Sequence, residues 1–373
     1  MARWFAQNWT RYHSLLEELG RQGHEVHVLQ PPPLPGSNET NFREIEARQM
    51  KNIVIHEVEL NDLIWKRSFP FDKLVKKAYF SLASRNQAKR LIEQNGIDCL
   101  LVYNIPQFFY VSLNNVSIVF DFADDYIDML GHELGRLNIA PIRKLAAWML
   151  RKMMLGCDLV LSVSHTLARD ACGNVHVLAN GVDASHLSGS RTGHEEPTET
   201  RFTVGFIGSF EYFIDFDLIL DTALRMPDVD FMLVGFGRDF SQVEQRVEAD
   251  KINNVTLTGG VPHSEIFDYI DRMDVCLNVF RPIPVSHRAC PIKLFEYLSR
   301  RKPVVSTRLQ ELEHIDDNEF LYYADTAEEL ETSLRYIRDN REEAAEKADR
   351  GNSAVASRYT WQKLALRFIE LAG

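Results

Sequence analysis

Cysteine is scarce and scattered. The 373-residue chain has five: Cys99, Cys157, Cys172, Cys276 and Cys290, with no C-x-x-C pair. That excludes a disulfide scaffold and a thiolate metal site, and it fits a reducing cytoplasm. No run of about 18 apolar residues occurs, so no membrane-spanning helix is expected. Met1 to Asn8 lack the apolar stretch of a secretory signal. The twelve histidines form neither H-x-H nor H-E-x-x-H, so no metal is expected. The P-loop and the G-x-S-x-G elbow are missing too, which removes two large enzyme classes. Positive charge is in deficit: the net charge is −11, which argues against a nucleic-acid binder.

What is present is the composition of a soluble globular chain, 45% hydrophobic and 25% charged, long enough for two cores. Charge is unevenly spread. Up to Ser190, 20 basic residues balance 20 acidic ones, and the remainder holds 22 basic against 33 acidic. Inside the neutral half, residues 64–90 carry Lys66, Arg67, Lys73, Lys76, Lys77, Arg85, Lys89 and Arg90 against Asp72 alone. Trp65, Phe69, Phe71, Tyr79 and Phe80 interleave with them. Residues 141–152 carry Arg143, Lys144, Arg151 and Lys152 around Trp148. Both segments suit an anionic membrane surface or, equally, a solvated helix face over buried aromatics.

Apolar periodicity alternates between strand and helix along the whole chain, which predicts parallel sheets covered by helices on both faces. Strands are expected at 25–29, 53–60, 98–103, 117–122, 158–163 and 175–178, with helices at 74–95 and 142–155. A first strand would have to fit within residues 3–6. Residues 184–201, polar and rich in Gly, Ser and Thr, read as a linker. The rhythm restarts with strands at 202–207, 230–234, 255–258, 275–279 and 303–306. This divides the chain into domains at 1–183 and 202–357, followed by a closing helix within 358–373.

One stretch organises the second domain. Residues 281–290 read as a loop holding Arg281, His287 and Arg288, and 292–299 as a helix preceded by Pro291. Lys293 sits in its first turn, where the helix dipole disfavours a cation. Its presence predicts an anion from outside, such as a phosphate. Glu296 shares its face and suits a pair of sugar hydroxyls. A surface Lys–Glu pair is the plainer alternative. Three strand ends carry glycine: Gly208-Ser209, Gly235-Phe236-Gly237 and Gly259-Gly260-Val261. In open α/β sheets ligands bind at such ends, so Gly208, Ser209, Gly235, Val261, Lys293 and Glu296 describe a nucleotide-diphosphate pocket. In the first domain, Asp121, Asp124 and Asp125 cluster at a strand end. They suit a base of raised pKa or, alternatively, the cap of the next helix. Asp215-Phe216-Asp217 reads as a helix cap before it reads as a metal pair.

Together these segments resemble the GT-B glycosyltransferases related to family 4. Pro291-Ile-Lys-Leu-Phe-Glu-Tyr-Leu298 and Lys302-Pro-Val-Val-Ser-Thr307 are similar to the donor-site signature of that group. Val204–Gly208, Phe231–Gly235, Asn254–Gly259, Asn180–Asp183, Val119–Asp125 and Gly23–Val28 match in order. The resemblance implies two Rossmann-like, doubly wound α/β domains facing across a cleft. It implies Lys293 on the donor diphosphate, Glu296 on the ribose hydroxyls, Val261 near the base, and Gly208 and Ser209 under the phosphates. Arg281 and Arg288 would neutralise the leaving group. Asp124 would be the base of an inverting reaction, with Asp125 and Asp121 behind it; in a retaining one the three would position the acceptor. Trp9, Arg11 and His13 are expected on the acceptor side. The implied activity is metal- and cofactor-free transfer of a hexose-type unit from a nucleotide diphosphate sugar to a hydroxyl of a polysaccharide, lipid-linked or small glycan acceptor. The setting would be the cytoplasm, peripherally on the inner membrane face. Two departures stand out. Arg288 occupies the position where the group commonly has glutamate, eight residues before Glu296, and residues 210–215 lack its usual Arg and Lys. They leave room for two rivals: a nucleotide-sugar-binding partner subunit without turnover, and a sugar-nucleotide epimerase.

Overall fold

The computed structural model describes residues 4, 9–33, 52–67, 72–134, 139–188, 201–316 and 319–373. Two compact units emerge, Met1–Ala179 with Ala365–Gly373, and Asn180–Leu364. The second unit begins at Asn180 because that side chain donates to the Cys290 carbonyl at 2.6 Å and Val182 bridges in parallel to Thr360. Of the expected linker, Ala184–Ser188 form a 3-10 turn, and residues 189–200 lie outside the described residues. So does the expected first strand, apart from the buried Trp4.

In the first unit, β1 (Val26–Gln30) pairs in parallel with β2 (Ile53–Glu57). A separate four-stranded parallel sheet runs in the order β3 (Cys99–Val102), β4 (Ser117–Phe122), β5 (Leu159–Ser162), β6 (Val175–Val177). Strands β4 and β5 are buried almost throughout, as parallel strands covered on both faces must be. Trp65 and Phe80 pack with Val58 in a core cluster, and Trp65 donates to the Pro32 carbonyl at 3.0 Å. The described aromatics of residues 64–90 therefore serve the core; Phe69 and Phe71 lie outside the described residues. Helix Ala140–Gly156 differs. It buries Ala146, Leu150, Met153 and Met154 but leaves Leu145, Trp148 and Leu155 more than half exposed.

The second unit is one six-stranded parallel sheet. Its strands are β7 (Thr203–Ile207), β8 (Asp230–Val234), β9 (Val255–Gly259), β10 (Val275–Asn278), β11 (Val304–Ser306) and β12 (Leu321–Tyr323), ordered β12-β11-β10-β7-β8-β9. Chain order runs outward from β7 on one side and from β10 on the other, so the switch point falls between these two strands, where a crevice forms at the carboxyl ends. Several short elements escape the sequence reading, among them two in the second unit. β12 has three residues, too few to show a period. Residues 281–290, expected as a loop, contain the helix Pro284–Arg288, which opens on a proline whose missing N–H suits a first turn.

Helix Ile292–Ser299 is fixed through its last turn. The Ile207 amide donates to the Tyr297 hydroxyl at 2.7 Å, and the hydroxyl returns a bond to the Ile207 carbonyl at 3.2 Å. Asn352 donates to the carbonyls of Leu298 and Ser299. The Tyr297 bonds hold the helix against the end of β7.

Candidate functional site

The ends of β7 and β8 touch through backbone alone. Gly208 and Gly235 adopt φ of +148° and +138°, which side-chain-bearing residues avoid. A Cβ on Gly235 would lie 1.9 Å from the Gly208 carbonyl oxygen, and one on Gly208 would lie 2.8 Å from the Lys293 ammonium. Glycine at both positions therefore lets Lys293 reach the strand end.

Lys293 Nζ sits 4.1 Å from the centroid of the Phe206 ring and 5.2 Å from that of Phe280. Among the described residues it makes no hydrogen bond and no ion pair. Part of the side chain still meets solvent, but protein crowds the ammonium. Burial pushes it down from 10.5 to about 7, against the opposing pull of Glu296. Cation–π contact offsets only a fraction of the lost hydration. A dense cation facing aromatic rings, with no counter-ion of its own, is a site for an incoming anion. Glu296, 8% exposed, faces His263, whose Nε2 lies 3.4 Å from its Oε1.

The remaining donor-side candidates distribute around this pair. Ser209 is exposed and Val261 half-buried. Phe236, between Gly235 and Gly237, is 61% exposed, and its Cβ lies 3.6 Å from the place a Gly260 Cβ would take. Arg281 is held by Asp217 at 3.2 Å, within a network in which Arg246 binds Asp217 and Asp221. Arg288 ends the helix Pro284–Arg288. The positions where the resembling group carries Arg and Lys are filled by packing instead: Phe210 is fully buried and stacks on Phe216 at 4.3 Å. Asp215 caps its helix by accepting from the Leu218 amide at 3.1 Å. Among the described residues, no group of three His, Cys, Asp or Glu side chains could hold a metal ion.

In the first unit the three aspartates take three different environments. Asp121 is fully buried in β4 and is neutralised by Arg11, with Nε–Oδ2 at 2.9 Å and Nη2–Oδ1 at 3.1 Å. Arg11 also donates to the carbonyls of Leu178 and Ala179. Asp125 accepts from the Asp128 amide at 3.0 Å, a cap for helix Tyr126–Leu134. Asp124 has ample exposed surface, yet protein surrounds its carboxyl. Desolvation first, then the charge of Asp121, lifts it from 3.8 to about 7, with Arg11 opposing. Solvent contact limits the desolvation, so the upward direction carries the argument. Tyr12, Tyr103 and Tyr126 line the same corner. Tyr12 and Tyr103 rings lie 4.2 Å apart, the Tyr126 hydroxyl donates to the Tyr103 carbonyl, and burial raises all three phenols. Of the acceptor-side candidates, His13 accepts from the Thr10 amide at 3.1 Å and bonds the Trp4 carbonyl at 2.9 Å, and Trp9 stacks on it at 4.8 Å. These contacts fix the start of the first helix.

The second unit is a doubly wound parallel sheet with a cation and a buried carboxylate at its switch point, and the first unit holds a two-stranded and a four-stranded parallel sheet, an α/β architecture of the kind expected for a GT-B glycosyltransferase. Comparison with known proteins agrees. The Glycosyltransferase Family 4 model matches residues 9–186, and the Glycosyl transferase-like model matches residues 217–370. TuaH of Bacillus subtilis strain 168, a provisional teichuronic acid biosynthesis glycosyltransferase, is 25% identical over 319 residues, covering 80% of this chain and 77% of its own. Among solved structures, sucrose-phosphate synthase from Thermosynechococcus elongatus aligns with a TM-score of 0.74 at 14% identity, covering 96% of this chain and 91% of that one. Anabaena Alr3699/HepE in complex with UDP and glucose aligns with a TM-score of 0.69 at 13% identity, covering 98% and 96%. Both halves of the chain thus match glycosyltransferase models, and these findings support a GT-B glycosyltransferase of family 4 type that transfers a sugar from a nucleotide sugar. Among the described residues no helix is long and apolar enough to cross a membrane.

Proposed function

We propose that the protein moves a hexose from a uridine diphosphate sugar to a hydroxyl of a polysaccharide or lipid-linked acceptor. The reaction needs no metal or other cofactor, and it takes place at the cytoplasmic face of a membrane. One observation carries the donor half: the Lys293 ammonium, enclosed against Gly208 with no anion of its own among the described residues. As the bond from sugar to diphosphate lengthens, charge gathers on the departing phosphate oxygen. A preorganised cation in a dry site stabilises that charge without reorganising. Arg288 adds a second positive group, and Arg281 joins only by leaving Asp217. Glu296 holds the ribose, while Phe236 and Val261 flank the base. The HepE complex with UDP supports the choice of uridine.

On the acceptor side, Asp124 is the group with the right proton affinity. Raised well above its ordinary range, it accepts a hydroxyl proton if the reaction inverts, and orients the acceptor if it retains. Asp121 and Asp125 support it, and Arg11, Trp9 and His13 fix the corner it occupies. The teichuronic acid assignment of TuaH supports a polymeric acceptor. For the membrane, the support is helix Ala140–Gly156, whose exposed Leu145, Trp148 and Leu155 lie among Arg143, Lys144, Arg151 and Lys152 with no acidic residue. The donor reading is tested by titrating UDP into Lys293→Ala in the calorimeter. At least a tenfold loss of affinity is expected, the scale of one charge-assisted contact, and unchanged affinity would sink the phosphate role.

A further inference from the structure

We propose that His263 is a positioning residue for the Glu296 carboxylate, holding it in the rotamer that accepts both ribose hydroxyls of the donor. This rests on the reading of Glu296 given above. Glutamate has three rotatable bonds, and a carboxylate meets a cis-diol with both oxygens only in a narrow range of them. An unheld side chain loses that freedom on binding, at a cost in affinity. Glu296 is buried, and its ion-pair partner is His263 Nε2, 3.4 Å from Oε1. That distance is beyond the usual N–H···O range, so the contact orients the carboxylate electrostatically rather than through a close hydrogen bond. It leaves Oε2, and lone-pair capacity on Oε1, for the ligand.

The imidazole is itself held. His263 opens the 3-10 turn His263–Glu265, directly after the Gly259-Gly260-Val261-Pro262 passage at the end of β9. Its ring meets Phe267 edge-on, with centroids 6.4 Å apart at 90°. Phe267 is backed by His186, stacked at 3.6 Å. The His186 backbone accepts from Arg300, which is anchored on Asp271. Three elements of the second unit thus converge: the turn Ala184–Ser188, helix Ile266–Asp271 and helix Ile292–Ser299. They convert the orientation of one ring into the orientation of one carboxylate.

The test compares UDP with 2′-deoxy-UDP by titration calorimetry on four proteins: the parent, His263→Ala, His263→Gln and Glu296→Ala. The parent should prefer UDP by roughly ten- to a hundredfold, the range of a hydrogen bond to a charged group. His263→Ala should lose affinity for UDP and little for 2′-deoxy-UDP, so the preference collapses to within about threefold. His263→Gln, whose amide replaces the Nε2 donor, should recover most of it. If Glu296→Ala keeps the parent's preference, the ribose role of Glu296 itself is wrong. If Glu296→Ala loses the preference but His263→Ala keeps it, Glu296 stands and the positioning role falls. An equal loss for both ligands in His263→Ala, without rescue by glutamine, marks a general structural role and also overturns the proposal.

Discussion

Donor affinity should fall as pH rises above neutrality, through a single proton on Lys293. In the free protein burial brings this ammonium from 10.5 down to about 7, a gap worth on the order of 5 kcal/mol. A bound diphosphate supplies the missing anion and returns the lysine toward its ordinary range. Between these values the complex keeps a proton that the free protein has shed. Binding therefore takes up a proton above about pH 7 and weakens by up to about tenfold per pH unit. From about pH 6.5 to 8.5 the expected loss is roughly twentyfold. UDP-glucose is the suitable probe, because each of its phosphates holds one charge across that window. Calorimetry in two buffers of different ionisation heat reads affinity and proton uptake together. Lys293→Arg keeps its charge at every pH used, so its affinity should be flat. A flat profile in the parent, or an unchanged slope in Lys293→Arg, would refute the coupling.

Stability should move the opposite way from function. The folded lysine binds fewer protons than the unfolded one between about pH 7 and 10.5, so the protein gains stability as pH rises through that range. Lys293→Met should therefore stabilise most below pH 7, by about 1–3 kcal/mol in denaturant unfolding; a variant less stable than the parent there contradicts the buried-charge account. Arg11→Met strands the buried Asp121 carboxylate and should cost about 3–5 kcal/mol by the same measurement, and a loss below about 1 kcal/mol would mean that water or another cation reaches Asp121. Flotation with anionic liposomes at low salt should be lost when Lys144, Arg151 and Lys152 become glutamate, at about 1 kcal/mol per charge. Equal flotation by parent and variant removes helix Ala140–Gly156 from the membrane reading.

The candidate donor residues can be picked out of the sequence because their chemistry is local. Lys293 and Glu296 lie one helical turn apart, and the glycines stand where apolar strand runs stop. Parallel strands buried on both faces leave unbroken runs such as Val204–Ile207, which give the sheet away. What could not be read depends on packing between distant residues. Arg281 looked available for a phosphate until Asp217, 64 positions away, was found holding it. His263 lies 33 residues before Glu296, and no spacing rule connects them. The corner of Tyr12, Tyr103 and Tyr126 is assembled from a helix, a strand end and a second helix start. The basic, aromatic segment at 64–90 misled because core and membrane faces use the same residue types; only burial separates Trp65 from Trp148.

On the proposed reading, donor binding and acceptor activation rest on the same electrostatic device, and it has a kinetic signature. On that reading, Lys293 in the second unit grips the donor only when protonated, and burial makes it shed that proton near 7. Asp124 in the first unit would have to be deprotonated to accept one, and its surroundings raise the pH at which it gives its own proton up. If both act, kcat/KM for the donor is bell-shaped with its optimum near neutrality, because this ratio reports the free enzyme. The closer the two values lie, the smaller the fraction of protein that carries both correct charges at the optimum, about a quarter where they coincide. The profile of kcat differs: once the diphosphate is bound, Lys293 stays protonated and the alkaline limb moves away, leaving the acid limb of Asp124. Asp124→Asn should remove that acid limb and lower kcat by roughly 10²–10⁴ if the group is a base. Lys293→Arg should remove the alkaline limb from kcat/KM alone. An alkaline limb that persists in kcat at saturating donor, or an Asp124→Asn variant within about tenfold of the parent, separates the two cases: the first displaces Lys293 as the titrating group, and the second leaves Asp124 to orient the acceptor without taking its proton.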